Sequence, residues 1–180
     1  MVRGSSRGFT LMELLIVVAI IGIVASIAVP GLLRAKMSGN EASAIGSMRA
    51  INSSQHAFSS SCANGFYASS LADLTAPSGG TGFISPELMV ATPAKSGYDF
   101  TMGPGSDGLA GFLDACNGVP GPQLISSYVA TGNPQSFGTS GGRYFYTNTL
   151  ATIFVDPASA IVHTQGNTSP TLTAPAGPLQ

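Results

Sequence analysis

Hydrophobic residues dominate the first part of the chain, where one uninterrupted apolar run is found. From Leu14 to Leu33, twenty residues include no ionisable side chain. A helix of this length spans about 30 Å, the thickness of a bilayer's hydrocarbon core. Because the run is apolar on every face, it predicts a helix surrounded by lipid or by a fully buried bundle. Pro30 falls within the run and predicts a kink or a local loosening of this helix.

Beyond the run, apolar residues recur at intervals of three and four. These residues are Leu32, Leu33, Met37, Ala44, Ile45, Met48, Ile51 and Phe58. The residues between them are mostly polar, including Asn40, Glu41, Arg49, Asn52 and Gln55. This spacing predicts an amphipathic helix with one apolar stripe, packed on the chain's own domain. We therefore expect one long helix from Phe9 to about Ser60.

The rest of the chain alternates short apolar segments with clusters of Gly, Pro, Ser and Asn, which predicts strands and turns. The strand candidates are Tyr98–Met102, Ser126–Thr131, Arg143–Thr147 and Ile153–Val155, followed by Ala160–His163. Ser70–Leu74 and Ser85–Leu88 have the composition of short capped helices. The predicted fold class is α+β: an antiparallel meander of three or four strands, one face of which is covered by the amphipathic half of the long helix.

Charge and cysteine content narrow the class of protein. Only 8% of the residues are charged and the formal net charge is −1, so no nucleic-acid partner is indicated. Cys62 and Cys116 both follow the apolar run, and if this run exports them they meet an oxidising compartment. A disulfide between them would stabilise the fold by about 4 kcal/mol. The alternative is a pair of buried free thiols.

Glu13 is the unusual residue, because a carboxylate at the start of a membrane-length helix is costly. A secretory signal peptide cut after Ala28 would leave this carboxylate inside the apolar stretch. A plain single-span anchor also leaves it unexplained. In a third interpretation, a short leader is removed between Gly8 and Phe9. The new amine of Phe9 could then pair with Glu13 of a neighbouring copy, so that Glu13 sets the register of stacked identical helices.

Residues 7–25 read RGFTLMELLIVVAIIGIVA and closely resemble the prepilin leader and helix of type IV pilins and pseudopilins. The resemblance implies that a prepilin peptidase cuts after Gly8 and that the amine of Phe9 is N-methylated. It also implies that Glu13 aligns subunits during assembly and that Pro30 is a helix-distorting proline. Two later segments, residues 94–100 and 141–147, are similar to segments of larger bacterial type IV pilin-like proteins.

The residue patterns and the resemblance together predict five regions in a pilin-like fold. They are a cleaved leader (1–8), a transmembrane and filament-core helix (9–33), an amphipathic helix packed on the head (34–60), an exported globular head (61–165) and a flexible tail (166–180).

Function and partners follow from the resemblance in the same way. It implies a structural subunit of a type IV pilus, not an enzyme, whose partners are identical subunits. Further partners are a prepilin peptidase and methyltransferase, membrane lipid before assembly, and an inner-membrane assembly platform with its ATPase. The precursor would lie in the inner membrane with a periplasmic head, and the assembled pilus would be extracellular. The alternatives are a type II secretion pseudopilin and an exported binding module or enzyme tethered by one helix.

Candidate cofactor ligands are few, and no cofactor is expected. Asp99, Asp107 and Asp114 could gather around Ca²⁺, but their spacing matches no defined calcium loop. His56 and His163 are too few and too far apart to indicate a zinc site. Nothing in the sequence indicates catalysis.

Overall fold

The computed structural model describes residues 8–77, 79–88, 94–105, 109–159 and 177–179. The chain divides into two compact units, Met1–Lys36 and Met37–Gln180. The predicted strand at Ala160–His163, and most of the predicted tail, lie outside the described residues.

One long α-helix, α1, covers Leu11–Ser61, so the predicted helix is confirmed to within two residues at its start and one at its end. It begins with a capping box, in which the Thr10 hydroxyl accepts a hydrogen bond from the Glu13 amide at 3.2 Å. In return, the Glu13 carboxylate accepts from the Thr10 amide at 2.9 Å. The reciprocal pair satisfies two backbone donors that the helix start would otherwise leave unpaired. The helix continues through Pro30, and a kink there stays a prediction.

The second unit contains a six-stranded antiparallel sheet whose strands follow one another in chain order. The strands are β1 (Ala94–Lys95), β2 (Tyr98–Pro104), β3 (Tyr128–Pro134), β4 (Tyr144–Asn148), β5 (Ile153–Asp156) and β6 (Gly177–Pro178). The meander is confirmed and its four longer strands are the first four predicted ones. The two outer strands, each of two residues, were not predicted.

The turn between β1 and β2 shows why the meander forms where it does. Lys95 pairs with Tyr98, and the two residues between them, Ser96 and Gly97, both have positive φ, at 53° and 72°. Positive φ at both central residues defines the tight hairpin turn whose twist matches that of the flanking strands. The chain therefore reverses here within two residues.

The apolar stripe of α1 packs on one face of this sheet. Ala44, Met48, Ile51 and Phe58 are completely buried, in one cluster with core residues of the sheet such as Phe100. Gly132 permits this close packing, because a Cβ there would come within 3.0 Å of the Phe100 ring and 3.5 Å of the Met48 sulfur. The predicted covering of the sheet by the amphipathic half of α1 is confirmed.

Two short helical segments complete the second unit. α2 covers Leu71–Thr75, and Ser70 and Asp73 form a capping box at its start, as predicted. Pro86–Leu88 forms a single 3₁₀ turn, where the sequence predicts a short capped helix. This turn is closed by the Leu88 amide, which donates to the Ser85 carbonyl at 3.1 Å.

Candidate assembly site

The residues predicted to direct processing and assembly lie at the start of α1. Gly8, Phe9 and Thr10 precede the first helical residue, in non-helical and solvent-exposed backbone, and Phe9 is 91% exposed. The peptide bond between Gly8 and Phe9 is therefore outside the hydrogen bonds of the helix. At this exposed, non-helical position the backbone is accessible to another protein.

Glu13 is held in a defined orientation in the first helical turn. Its Oε2 accepts from the Thr10 amide at 2.9 Å and from the Thr10 hydroxyl at 2.7 Å. Both hydrogen bonds use the same oxygen, so Oε1 retains its capacity to accept from a donor on another molecule. Thr10 was not singled out from the sequence, although a Thr three residues before a Glu is the signature of a capping box.

The first unit presents an apolar surface to its surroundings. Every described residue from Gly8 to Lys36 is solvent-exposed, and this stretch includes fifteen large hydrophobic residues from Leu11 to Leu33. By length and composition, α1 is sufficient to cross a membrane. Exposed apolar surface in water costs about 25 cal/mol per Å², so this unit requires lipid or neighbouring apolar helices around it.

Within the second unit, buried polar side chains of α1 form hydrogen bonds with the sheet and its connecting segments. Glu41 accepts from Arg143 Nη2 at 2.7 Å and Nε at 2.8 Å, and from the Gly142 amide at 2.9 Å. Asn52 accepts from the Tyr128 hydroxyl at 3.0 Å. These polar side chains of α1 are buried where the helix packs on the sheet. A buried polar group there requires a hydrogen-bond partner.

Gln55 is the most buried of these polar residues, with 0% exposure. Its amide nitrogen donates to the Ala68 carbonyl at 2.9 Å, and its oxygen accepts from the Ala68 amide at 3.0 Å. The sequence places Glu41, Asn52 and Gln55 off the apolar stripe, whereas the structure buries all three. The sequence does carry a signal for this burial, because positions 41, 48, 52 and 55 share one face of a helix with 3.6 residues per turn.

Two buried tyrosines connect the sheet to this interface. The Tyr98 hydroxyl donates to the Arg143 carbonyl at 2.9 Å, and burial raises the pKa of Tyr98 to about 12. Burial also raises the pKa of Tyr128, whose hydroxyl donates to Asn52. Both phenols therefore remain protonated hydrogen-bond donors well above neutral pH.

The two cysteines form the predicted disulfide, Cys62–Cys116. Cys62 directly follows α1, and Cys116 lies in the segment that joins β2 to β3. The Cys116 amide also donates to the Cys62 carbonyl at 2.9 Å. The disulfide therefore fixes the β2–β3 segment to the C-terminal end of the helix.

The described residues include no group of three His, Cys, Asp or Glu side chains that could hold a metal ion, and the calcium hypothesis, which includes Asp107, stays a prediction. Asp99 accepts from the Gln135 side-chain amide at 3.1 Å, and Asp114 accepts from the Gly121 amide at 2.8 Å. Asp107 and His163 lie outside the described residues. His56 is exposed and makes an edge contact with the Tyr67 ring at 6.2 Å.

This architecture, a long N-terminal apolar helix whose second part packs on a small antiparallel sheet, is the α+β architecture of pilin-like proteins. Residues 3–29 match the family described as the prokaryotic N-terminal methylation motif. Over 53 residues the chain is 44% identical to the type IV major pilin protein PilA of Myxococcus xanthus (strain DK1622). That match covers 29% of this chain and 24% of the relative. No solved structure matches the chain. The chain thus carries the N-terminal methylation motif, and its likeness to a type IV major pilin extends over about a quarter of that relative's length.

Proposed function

We propose that this protein is a structural subunit of a type IV pilus. The observation that carries the proposal is the position of Glu13, a carboxylate in the first turn of a helix whose described side chains up to Lys36 are all exposed. Lipid satisfies the apolar surface but not the carboxylate. The helix and its carboxylate are satisfied together by a partner that offers an apolar surface and a cation. A second, processed copy of this chain offers an apolar helix and the new amine.

In this proposal, a prepilin peptidase cuts the Gly8–Phe9 bond, which lies in exposed, non-helical backbone. Residues 1–8 are the leader that is removed, and the new amine of Phe9 is N-methylated. This amine remains a cation after methylation. The Glu13 carboxylate, oriented by Thr10, accepts it from a neighbouring copy. Breaking such a buried pair by removal of one partner costs about 3–5 kcal/mol, so the pair selects one register among the possible ones.

Assembly requires a source of free energy other than burial of the apolar helix. Lipid tails and packed apolar helices are similar environments for residues 9–33, so hydrophobic transfer between them gives little net drive. We therefore infer an inner-membrane assembly platform with an ATPase as a further partner. Before assembly the precursor lies in the inner membrane with the head, residues 61–165, in the periplasm. Its disulfide fits an oxidising compartment.

Replacement of Glu13 by Ala tests the proposal in cells that assemble the protein. We expect Glu13→Ala subunits to be processed and inserted in the membrane but absent from the filament fraction sheared from cells, a loss of at least tenfold. Asp99→Ala is the matched control, because Asp99 is an acid of the head that accepts a hydrogen bond from the Gln135 side-chain amide at 3.1 Å. Normal filaments from Glu13→Ala, or a mature N-terminus near Val29 by mass spectrometry in place of methylated Phe9, would overturn the proposal.

A further inference from the structure

The segment between β2 and β3 carries three exposed large apolar side chains within five residues. Leu109 is 73% exposed, Phe112 is 90% exposed and Leu113 is 66% exposed. We refer to these three residues as the apolar knob. An exposed apolar cluster of this kind on a soluble head indicates an interaction surface.

The backbone beneath the knob is held in place by the rest of the head. The Gly111 amide donates to the Leu124 carbonyl at 3.0 Å, and the Gly121 amide donates to Asp114 at 2.8 Å. Gly121 packs directly under the knob, because a Cβ there would lie 2.9 Å from backbone atoms of Phe112 and Leu113. Since the backbone is already ordered, binding through the knob loses little additional conformational entropy.

A groove elsewhere on the head has the size and lining to receive this knob. It lies between α1 and the segment that contains the 3₁₀ turn, and its volume is about 330 Å³. The residues lining it include the apolar Ile84 and Leu88, the small residues Gly46 and Ala50 of α1, and Lys95. A cavity of about 150 Å³ holds a benzene-sized ring, so the groove has room for the Phe112 ring and part of Leu113. Gly46 and Ala50, both exposed, leave the helix side of the groove open.

In one molecule the knob is held away from the groove, because the Phe112 ring contacts the Phe66 ring, 6.5 Å between centroids, just beyond the C-terminal end of α1. Cys116, close to the knob, is bonded to Cys62 just beyond the C-terminal end of α1. Gly46 lies fifteen residues before that end, a distance of about 22 Å along a helix that rises 1.5 Å per residue. Any occupant of the groove that carries this knob therefore belongs to another copy.

We propose that, in the filament, the apolar knob of one copy docks in this groove of another copy. The inference rests on the proposed function. A filament requires contacts between two different surfaces of the subunit, because contact between identical surfaces closes a dimer and stops growth. The knob and the groove are two such surfaces on one head.

The size of the contact supports a second copy as the occupant. The knob offers an area on the order of a few hundred Å², whereas a stable complex between free proteins buries about 800 Å² on each partner. The contact is therefore too small to hold an independent partner by itself. Copies already held together by their N-terminal helices have a high effective concentration, at which such a small contact is occupied.

A photo-crosslinker in place of Phe112 tests which molecule the knob contacts. We expect full-length chain with p-benzoylphenylalanine at this position to give, in assembling cells, an adduct of twice the subunit mass. Peptide mapping should place the crosslink within residues 43–50 or 84–88. The same probe in place of Leu150, which is 71% exposed, is the control and should give at least tenfold less of this adduct. The adduct should be lost when Glu13→Ala is added.

Filling the groove tests the receiving surface. Gly46→Leu should reduce the Phe112 adduct at least tenfold, because the new side chain occupies the groove. Gly39→Leu is the matched control and should leave the adduct unchanged. Both glycines lie in α1, and a Cβ at either meets nothing within 4 Å, so a side chain at either position starts in open space.

Two kinds of failure are distinguishable. If the parent chain forms filaments with a mature Phe9 but the probe at 112 gives no chain–chain adduct, the knob inference is wrong while the proposed function stands. An adduct with a different protein or with lipid, or an adduct insensitive to Gly46→Leu, also overturns the inference. If the parent chain forms no filaments, the proposed function itself is wrong.

Discussion

The two units of this chain reach a stable state by different routes. In the first unit none of the described residues is buried, and its apolar side chains face outward. The second unit encloses its own core, in which Tyr98, Phe100 and Phe145 are completely buried. Both units contain a part of the same helix. From Met37 onward the helix is stabilised by its own domain. Before that residue its apolar side chains depend on other molecules for burial.

The same substitution at two positions of α1 gives the most direct test of this difference between the units. Ile51 is completely buried and Ile23 is 64% exposed. We expect Ile51→Ala to lower the free energy of unfolding of the head by about 2–5 kcal/mol, because it removes buried apolar surface and leaves a cavity. Ile23→Ala should change it by less than about 0.5 kcal/mol, as exposed substitutions do.

Tyrosine fluorescence during denaturant unfolding of the detergent-solubilised protein makes this measurement. The chain contains no Trp, and all five tyrosines follow residue 60, so the signal reports the head alone. Equal effects of the two substitutions would show that the stability of the head depends equally on both parts of the helix. The two units would then not be stabilised in different ways.

The features that sequence alone predicted are those set by neighbouring residues. The apolar run and stripe gave α1, the Ser70–Asp73 capping pair gave α2, and alternation between turn residues gave the four longer strands. Each depends on residues within a few positions of one another. The residues predicted for processing and assembly, Gly8, Phe9 and Glu13, also lie in one continuous segment, and their roles stay predictions.

The features that sequence did not predict depend on partners far along the chain. Glu41 meets Arg143, and Asn52 meets Tyr128 and Thr147, across 76 to 102 residues. A polar residue between apolar ones is ordinarily assigned to the solvent face, and only the fold shows which distant group satisfies it. The edge strands β1 and β6 were missed for a related reason, since two residues carry no periodicity and are recruited by the neighbouring strand.

A buried polar residue gives a second, smaller test of how the head holds its part of α1. Gln55→Leu keeps the side-chain volume but leaves the amide and carbonyl of Ala68 without the partners they have now. We expect the free energy of unfolding to fall by about 1–3 kcal/mol, the cost of buried unpaired polar groups. Gln123→Leu, the same change at an exposed position, should have an effect within about 0.5 kcal/mol. If Gln55→Leu left the free energy of unfolding unchanged, apolar packing alone would hold the helix on the sheet.

Alkaline pH should also separate the two units. Burial raises the pKa of Tyr98 to about 12 and raises that of Tyr128 as well. A group whose folded pKa is raised favours folding fully below its unfolded pKa, which is near 10 for tyrosine. The head should therefore keep this contribution up to about pH 10 and lose it progressively towards pH 12.

Circular dichroism and tyrosinate absorbance followed together between neutral pH and pH 12 make this test. The apolar part of α1 contains no tyrosine, so its helical signal in detergent should persist while the near-ultraviolet signal of the head declines. In Tyr98→Phe the hydrogen bond to the Arg143 carbonyl is absent and one titrating group is removed. That variant should start less stable at neutral pH but lose less stability between pH 10 and 12. If all five phenols titrated near pH 10 without loss of the head signal, Tyr98 and Tyr128 would not be buried donors, and the head's independence would need another explanation.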